Sequence, residues 1–180
     1  MSRLQKLKQK KKTMNNELTK KDIEDMEAEI EHRKVVVRKE LLEHVKDARS
    51  HGDLSENFEY YAAKKEKNKN ESRIRYLERM IRTAKVVEDD SKDDEVGINK
   101  TITVYVEEDD VTEEYKIVTT VREDSLNGLV SNESPMGKAL MGHKVGDRVE
   151  ITVSKDYSYF VVIKKIDAST IDDAGVLRDF

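Results

Sequence analysis

The chain has no cysteine, no tryptophan and only one proline, Pro135, among its 180 residues. Without cysteine there is no disulfide and no thiolate metal site, and a reducing, cytoplasmic setting is expected. No apolar run approaches the roughly 18 residues of a membrane-spanning helix, so no membrane partner is expected. The opening stretch MSRLQKLKQKKK is basic but lacks the apolar core of a signal peptide, which argues against export. Apolar residues make up only 36% of the chain and charged residues 40%. That balance excludes one large globular core and favours a long solvated helical element. A Gly-rich phosphate loop and a nucleophile–base pair are both missing, so the chain does not read as a stand-alone enzyme and no cofactor bound by it alone is expected.

The net charge of −4 hides an asymmetry: residues 1–15 carry +6, residues 16–87 carry +1 and residues 88–180 carry −11. Phosphate contacts need local cations, so any nucleic-acid contact is expected from the front half.

That front half has helical periodicity. Leu18-Thr19-Lys20-Lys21-Asp22-Ile23 reads as a helix start, with Thr19 as N-cap, Asp22 in a capping-box-like place, and Leu18 and Ile23 as a hydrophobic staple. Apolar positions follow at Ile23, Met26, Ile30, Val37, Leu41, Val45 and Ala48, and Gly52 ends the run. The return run places Tyr60, Ala63, Ile74, Leu77, Ile81 and Ala84 three or four residues apart, with Lys67 and Asn70 in the two missing places. Two narrow stripes joined by a tight turn describe an antiparallel coiled-coil hairpin, each arm about 45 Å long. Folding about residue 52 sets Ile30 opposite Ile74, and Arg33 and Lys34 opposite Asn70. This polar layer is expected to loosen the middle of the rod, so that Asn70→Ile would stabilise it by about 1 kcal/mol.

"EDDSKDDE" at 88–95 reads as a solvated acidic linker. Beyond it the period changes to two. Strands are expected over 101–106, 114–121, 147–153 and 158–166. "ESPMGKALMG" reads as a short helix with Ser134 as cap, Pro135 first and Gly142 at the stop. The fold class is therefore α+β. The expected organisation is a basic leader (1–15), the hairpin (16–87), the linker, a small sheet domain (96–166) and a tail without period (167–180). Met14 offers an alternative start.

The turn "HGDLSENFEYYAA" (51–63) carries more chemistry than a turn needs. Asp53 and Glu56 fit an N-cap with its capping-box partner, and carboxylates there favour the helix dipole. They also fit a metal site: two acids at the apex of a rod can be delivered into a narrow channel, and a partner would have to complete the shell of Mg²⁺. His51 beside Gly52 fits a helix-end group. Behind the tip, residues 64–85 carry nine Lys or Arg against three Glu, enough to hold a phosphate backbone leading toward the acids.

Two separated motifs, "DARSHGDLSENFEYYAAKKE" (47–66) and "SNESPMGKALMGHKVGD" (131–147), resemble the GreA/GreB transcript-cleavage factors of bacterial RNA polymerase, nearer GreA than GreB. The resemblance runs from Glu17 to Ile166. It implies an FKBP-like second domain that docks at the rim of the polymerase's secondary channel, while the hairpin enters that channel. The tip acids Asp53 and Glu56 would then help hold an Mg²⁺ shared with the polymerase, whose own active site cleaves backtracked nascent RNA near its 3′ end. Arg49, Asn57 and Tyr60 match tip-supporting positions. Lys64, Lys65, Lys67, Lys69, Arg73 and Arg75 fall in the region that contacts RNA. Lys69 and Asn70 depart from the family's usual apolar residues, and no role transfers to the leader or the tail. Two other readings stand beside this one: a channel-binding inhibitor on the same scaffold, and a prolyl isomerase or chaperone built on the second domain, whose few aromatics do not suggest a proline pocket.

Overall fold

The computed structural model describes residues 16–50, 57–168 and 177–178. The chain divides into two compact units: Asn16 with Lys21–Lys85, and Glu17–Lys20 with the residues from Val86 onward.

The first unit is an antiparallel helical hairpin. Its outgoing arm consists of α1 (Lys20–His32), a five-residue π-helical stretch (Arg33–Val37) and α2 (Arg38–Ser50). The return arm is a single helix, α3 (Phe58–Arg82). The seam is thin. Met26 and Ala48 are buried on the outgoing side, and Ile74, Leu77 and Met80 on the return side, while Ile23, Ile30, Val37, Leu41 and Val45 are only half-buried. The return helix stops at Arg82, earlier than the periodicity expects. Thr83 takes the C-cap position, its N–H and hydroxyl both donating to the Arg79 carbonyl at 3.0 Å. Ala84 therefore belongs not to the helical stripe but to the strand β2 (Ala84–Val86), which pairs with β1 (Asn16–Leu18).

The polar layer is not loose. Glu29 sits between two guanidinium groups: Arg73 donates to both its oxygens at 2.8 and 3.0 Å, and Arg33 Nε donates to it at 2.6 Å. Asn70 is buried to 3% exposure; it accepts from Arg33 Nη1 at 3.3 Å and donates to the Arg33 carbonyl at 3.4 Å. That carbonyl already accepts from Arg38 N–H across the wide π turn. A fork from Arg38 to Glu71 at 2.7 and 2.8 Å closes the layer, and Lys34 reaches out to Glu78 at 2.6 Å instead of to Asn70. The π turn falls in "RKVVV", whose three β-branched residues in a row are poor α-helix formers.

The second unit holds a five-stranded sheet in the order β5 (Leu129–Ser131), β4 (Val111–Val118), β3 (Lys100–Val106), β7 (Ser158–Ala168), β6 (Arg148–Thr152). All pairings are antiparallel except β4 with β5, and β7 bulges opposite Thr103/Val104. Alternation puts Ile102, Val104 and Val106 in the core with Ile117, Val149, Ile151, Val161 and Ile163. Leu140 of the short helix α4 (Pro135–Leu140) joins them. Ser134 caps that helix, accepting from Gly137 N–H at 3.0 Å. A Cβ on Gly137 would lie 2.1 Å from the Ser131 carbonyl oxygen, so only glycine lets the helix approach β5. The parallel edge strand β5 is too short to give a periodic signal.

Two segments flanking the sheet make contacts that their local patterns do not show. The acidic stretch before the sheet is fastened to this unit: Lys144 pairs with Asp94 at 2.7 Å and with Glu95 at 3.5 Å, and Lys100 donates to the Glu95 carbonyl at 2.9 Å. Lys144, fifty residues on, holds it down, a pairing that a local reading of charge does not see. In the tail, strand β7 continues to Ala168, and Arg178 N–H donates to the Val121 carbonyl at 2.7 Å while its guanidinium reaches Glu123 at 3.3 Å. The remaining tail residues and the leader lie outside the described residues.

Asn70→Ile is thus expected to cost stability, by about 1 kcal/mol, because it removes a buried amide that bonds both the half-buried Arg33 guanidinium and the Arg33 carbonyl, and adds bulk where the seam is closed. A lower Tm of the full-length chain by circular dichroism checks this. A second expectation concerns acid. Partial burial pushes the Glu29 carboxyl up, but Arg73 and Arg33 outweigh it and hold the group below the ordinary glutamate value of 4.5. A depressed carboxyl contributes stability above its unfolded value and loses it as pH falls through the folded one. The Tm gap between wild type and Glu29→Gln should be wide at neutral pH and narrow as pH falls below the ordinary glutamate value of 4.5, as melts across that range would show.

Candidate functional site at the hairpin tip

The tip is built by the two helix ends that face it. On the outgoing side α2 finishes at Ser50, whose hydroxyl donates to the Asp47 carbonyl at 2.7 Å, and Arg49 is exposed. On the return side α3 starts after Asn57, and this one side chain serves both arms. Its Oδ1 accepts from Tyr60 N–H at 2.9 Å, which caps the return helix. Its Nδ2 donates to the carbonyl of buried Ala48 at 2.6 Å, which satisfies a terminal carbonyl of the outgoing helix. Asparagine is suited to this because its amide carries both an acceptor and donors.

The expectation that Asp53 and Glu56 form the capping box of the return helix is corrected here: the N-cap is Asn57, four residues after Asp53. Asp53 and Glu56 themselves, with His51 and Gly52, lie outside the described residues. Among the described residues no group of three or more His, Cys, Asp or Glu stands ready to hold a metal ion.

Tyr60, pinned through its backbone by Asn57, is half-buried; its ring meets that of Tyr61 edge-on at 5.8 Å, and the Lys64 ammonium lies 5.8 Å from its centroid. The six cations expected to contact RNA separate into two groups. Lys64, Lys65 and Lys69 are exposed and have no carboxylate within ion-pair distance among the described residues. Lys67 and Arg75 lie close enough to Glu71 to help lower its pKa, behind the larger effect of Arg38, and Arg75 also donates to Ser72 Oγ at 3.0 Å. Arg73 is removed from the surface set. Its side chain is 4% exposed and is spent on Glu29. Position 73 falls at the seam spacing between Asn70 and Leu77, which is the signal that the stripe of apolar residues alone conceals. The sequence reading also passed over Phe58, 86% exposed at the first position of the helix.

Two family models account for the described chain almost end to end. One, described as Transcription elongation factor, N-terminal, matches residues 16–86. The other, described as Transcription elongation factor, GreA/GreB, C-term, matches residues 90–168. The chain belongs to the GreA/GreB family. It is a transcription elongation factor of that family, and its similarity to GreA proteins extends over most of its length. The GreA of Macrococcus caseolyticus (strain JCSC5402) is 43% identical over 149 residues, covering 83% of this chain and 94% of that relative. The GreA of Thermoanaerobacter pseudethanolicus is 47% identical over 137 residues, 76% of this chain and 87% of that one. Among solved structures, GreA factor homolog 1 of Thermus thermophilus is 24% identical, with 85% of this chain covering 99% of it at a TM-score of 0.40. No helix among the described residues of this GreA/GreB family member is long and apolar enough to cross a membrane.

Substitutions at Asn57 separate its two bonds. Asn57→Asp keeps the cap acceptor and loses the donor to Ala48, and should cost about 1 kcal/mol. Asn57→Ala loses both, and should cost about 2 kcal/mol. Chemical denaturation of the full-length chain monitored by helicity would rank the two.

Proposed function

We propose that this elongation factor is an accessory protein of bacterial RNA polymerase and acts in the cytoplasm without being an enzyme itself. Its second unit docks at the rim of the secondary channel and its hairpin enters that channel. At the tip, Asp53 and Glu56 offer carboxylate oxygens to an Mg²⁺ whose remaining ligands belong to the polymerase. Hard oxygen donors suit that ion, and two carboxylates cannot fill its octahedral shell, so the site is complete only when shared. The polymerase's active site then hydrolyses backtracked RNA and frees a new 3′ end. What this chain contributes is negative charge and position: a rod to carry the acids, Asn57 to hold the two helix ends together, and free lysines behind the tip for the phosphates.

The observation that carries the reading is the N-cap. Since Asn57 caps the return helix, that cap does not call on Asp53 or Glu56, which supports reading the two acids through the tip motif they belong to.

Asp53→Asn combined with Glu56→Gln tests it. Amide oxygens are poorer ligands for Mg²⁺ where added negative charge is needed. With Asn57 intact, the variant should keep its helicity and compete with wild type for polymerase, while stimulated cleavage in a stalled elongation complex falls by at least about a hundredfold, the scale of losing roughly 3 kcal/mol of charge stabilisation. A folded, bound variant that cleaves normally would reduce the two acids to bystanders.

A further inference from the structure

Phe58, Tyr61, Lys65 and Lys69 are spaced by three, four and four residues on one helix, which places them on a single face. All four are exposed, Phe58 at 86% and Tyr61 at 53%. The seam side of the same stretch is occupied by half-buried Tyr60, Ala63 and Lys67 and by buried Asn70, so the aromatic face points away from the partner helix and takes no part in holding the hairpin. Nothing in the hairpin's stability requires an aromatic ring at 58. A fully accessible ring at the first helical position, a second ring one turn on and then two lysines free of carboxylates is the arrangement that single-stranded nucleic acid recognises: flat faces for bases, with cations spaced along one side for the backbone. The charge argues for the same occupant. Lys64, Lys65 and Lys69 are the cations of this arm nearest the tip that no carboxylate among the described residues neutralises, and they begin six residues after Phe58.

We propose that Phe58 and Tyr61 stack against bases of single-stranded RNA while Lys65 and Lys69 hold its phosphates, forming a track on the return arm that leads to the acidic tip. The inference rests on the channel reading for where the RNA comes from, and on the geometry alone for which residues touch it. It singles out Phe58 as a positioning residue: it does not ligate metal, but it fixes where the strand lies relative to Asp53 and Glu56. Phe58 is held in turn by the backbone of a helix start that Asn57 anchors at both arms, so the ring stands on a fixed base.

Because the chain has no tryptophan, Phe58→Trp in the full-length protein places a single indole at the proposed stacking position. Titration with a ten-residue oligouridylate at low salt should quench its fluorescence saturably, and a strand of equal length and charge lacking bases should bind at least about thirtyfold more weakly, the loss expected for two stacked bases. Lys65→Ser with Lys69→Ser should lower the slope of log affinity against log salt by about 1.4, as expected for two phosphates released from a single strand. In the stalled elongation complex, Phe58→Leu should slow cleavage by about tenfold and Phe58→Trp should restore it, since an aromatic face is what stacking needs. No quenching by the base-bearing strand, or equal affinity for the abasic one, overturns the proposal. So does unaltered cleavage by Phe58→Leu, and so does a loss confined to polymerase capture, which would make Phe58 a protein contact. Wild type that fails to stimulate cleavage while Phe58→Trp shows base-dependent quenching would sink the channel reading and leave the RNA track standing.

Discussion

A seam between two helices buries too little apolar surface to choose its own register, since neighbouring registers differ by a few half-covered side chains. In this hairpin the choice is made by Glu29. Its carboxylate takes a two-pronged bond from Arg73 across the seam and a single bond from Arg33 along its own arm, and guanidinium geometry tolerates little sliding. Removing either partner would strand a desolvated charge, so slippage is opposed by more than the loss of contact. Asn70 and the Arg38–Glu71 fork add directional bonds at the same level. Everything carried at the tip inherits its place from this layer in the middle of the rod.

How much of this was legible follows the range of each interaction. The arms, the period-two strands and the Ser134 helix were readable because spacing and caps are local signals. The ends of helices were less so. Thr83 stops the return arm without a glycine, and Asn57 starts it, an amide that caps about as well as an aspartate and also donates across to the Ala48 carbonyl. Arg73 was misplaced on the surface since a charged residue at a seam position reads as solvated until its partner, forty-four residues earlier, is known. The same applies to the acidic stretch held by Lys144. The tip acids are singled out by their motif alone and lie outside the described residues, and the role of Asn57 in binding both arms became visible only as geometry.

The division of labour between the two units has a physical basis. The sheet unit has a continuous aliphatic core of Val and Ile from four strands, which supplies stability without help from charge. The hairpin has the opposite character: little core, many directional bonds and a surface left free for lysines. The GreA/GreB chain thus keeps its bulk and its reach in separate pieces of sequence.

The π turn at Arg33–Val37 has one more effect. An α-helix advances about 100° per residue, and a π turn adds one residue to a single turn. The outgoing arm therefore comprises two rotational frames: Met26 and Glu29 set the phase of the base, and Ala48 sets the phase of the tip. A continuous α-helix of the same sequence would carry Ala48 about a quarter-turn out of phase with Asn57, leaving its carbonyl without the bond that joins the arms. The wide turn acts as a fixed angular offset, and the aim of the tip about the rod's own axis is set there, 13 residues before the outgoing helix ends.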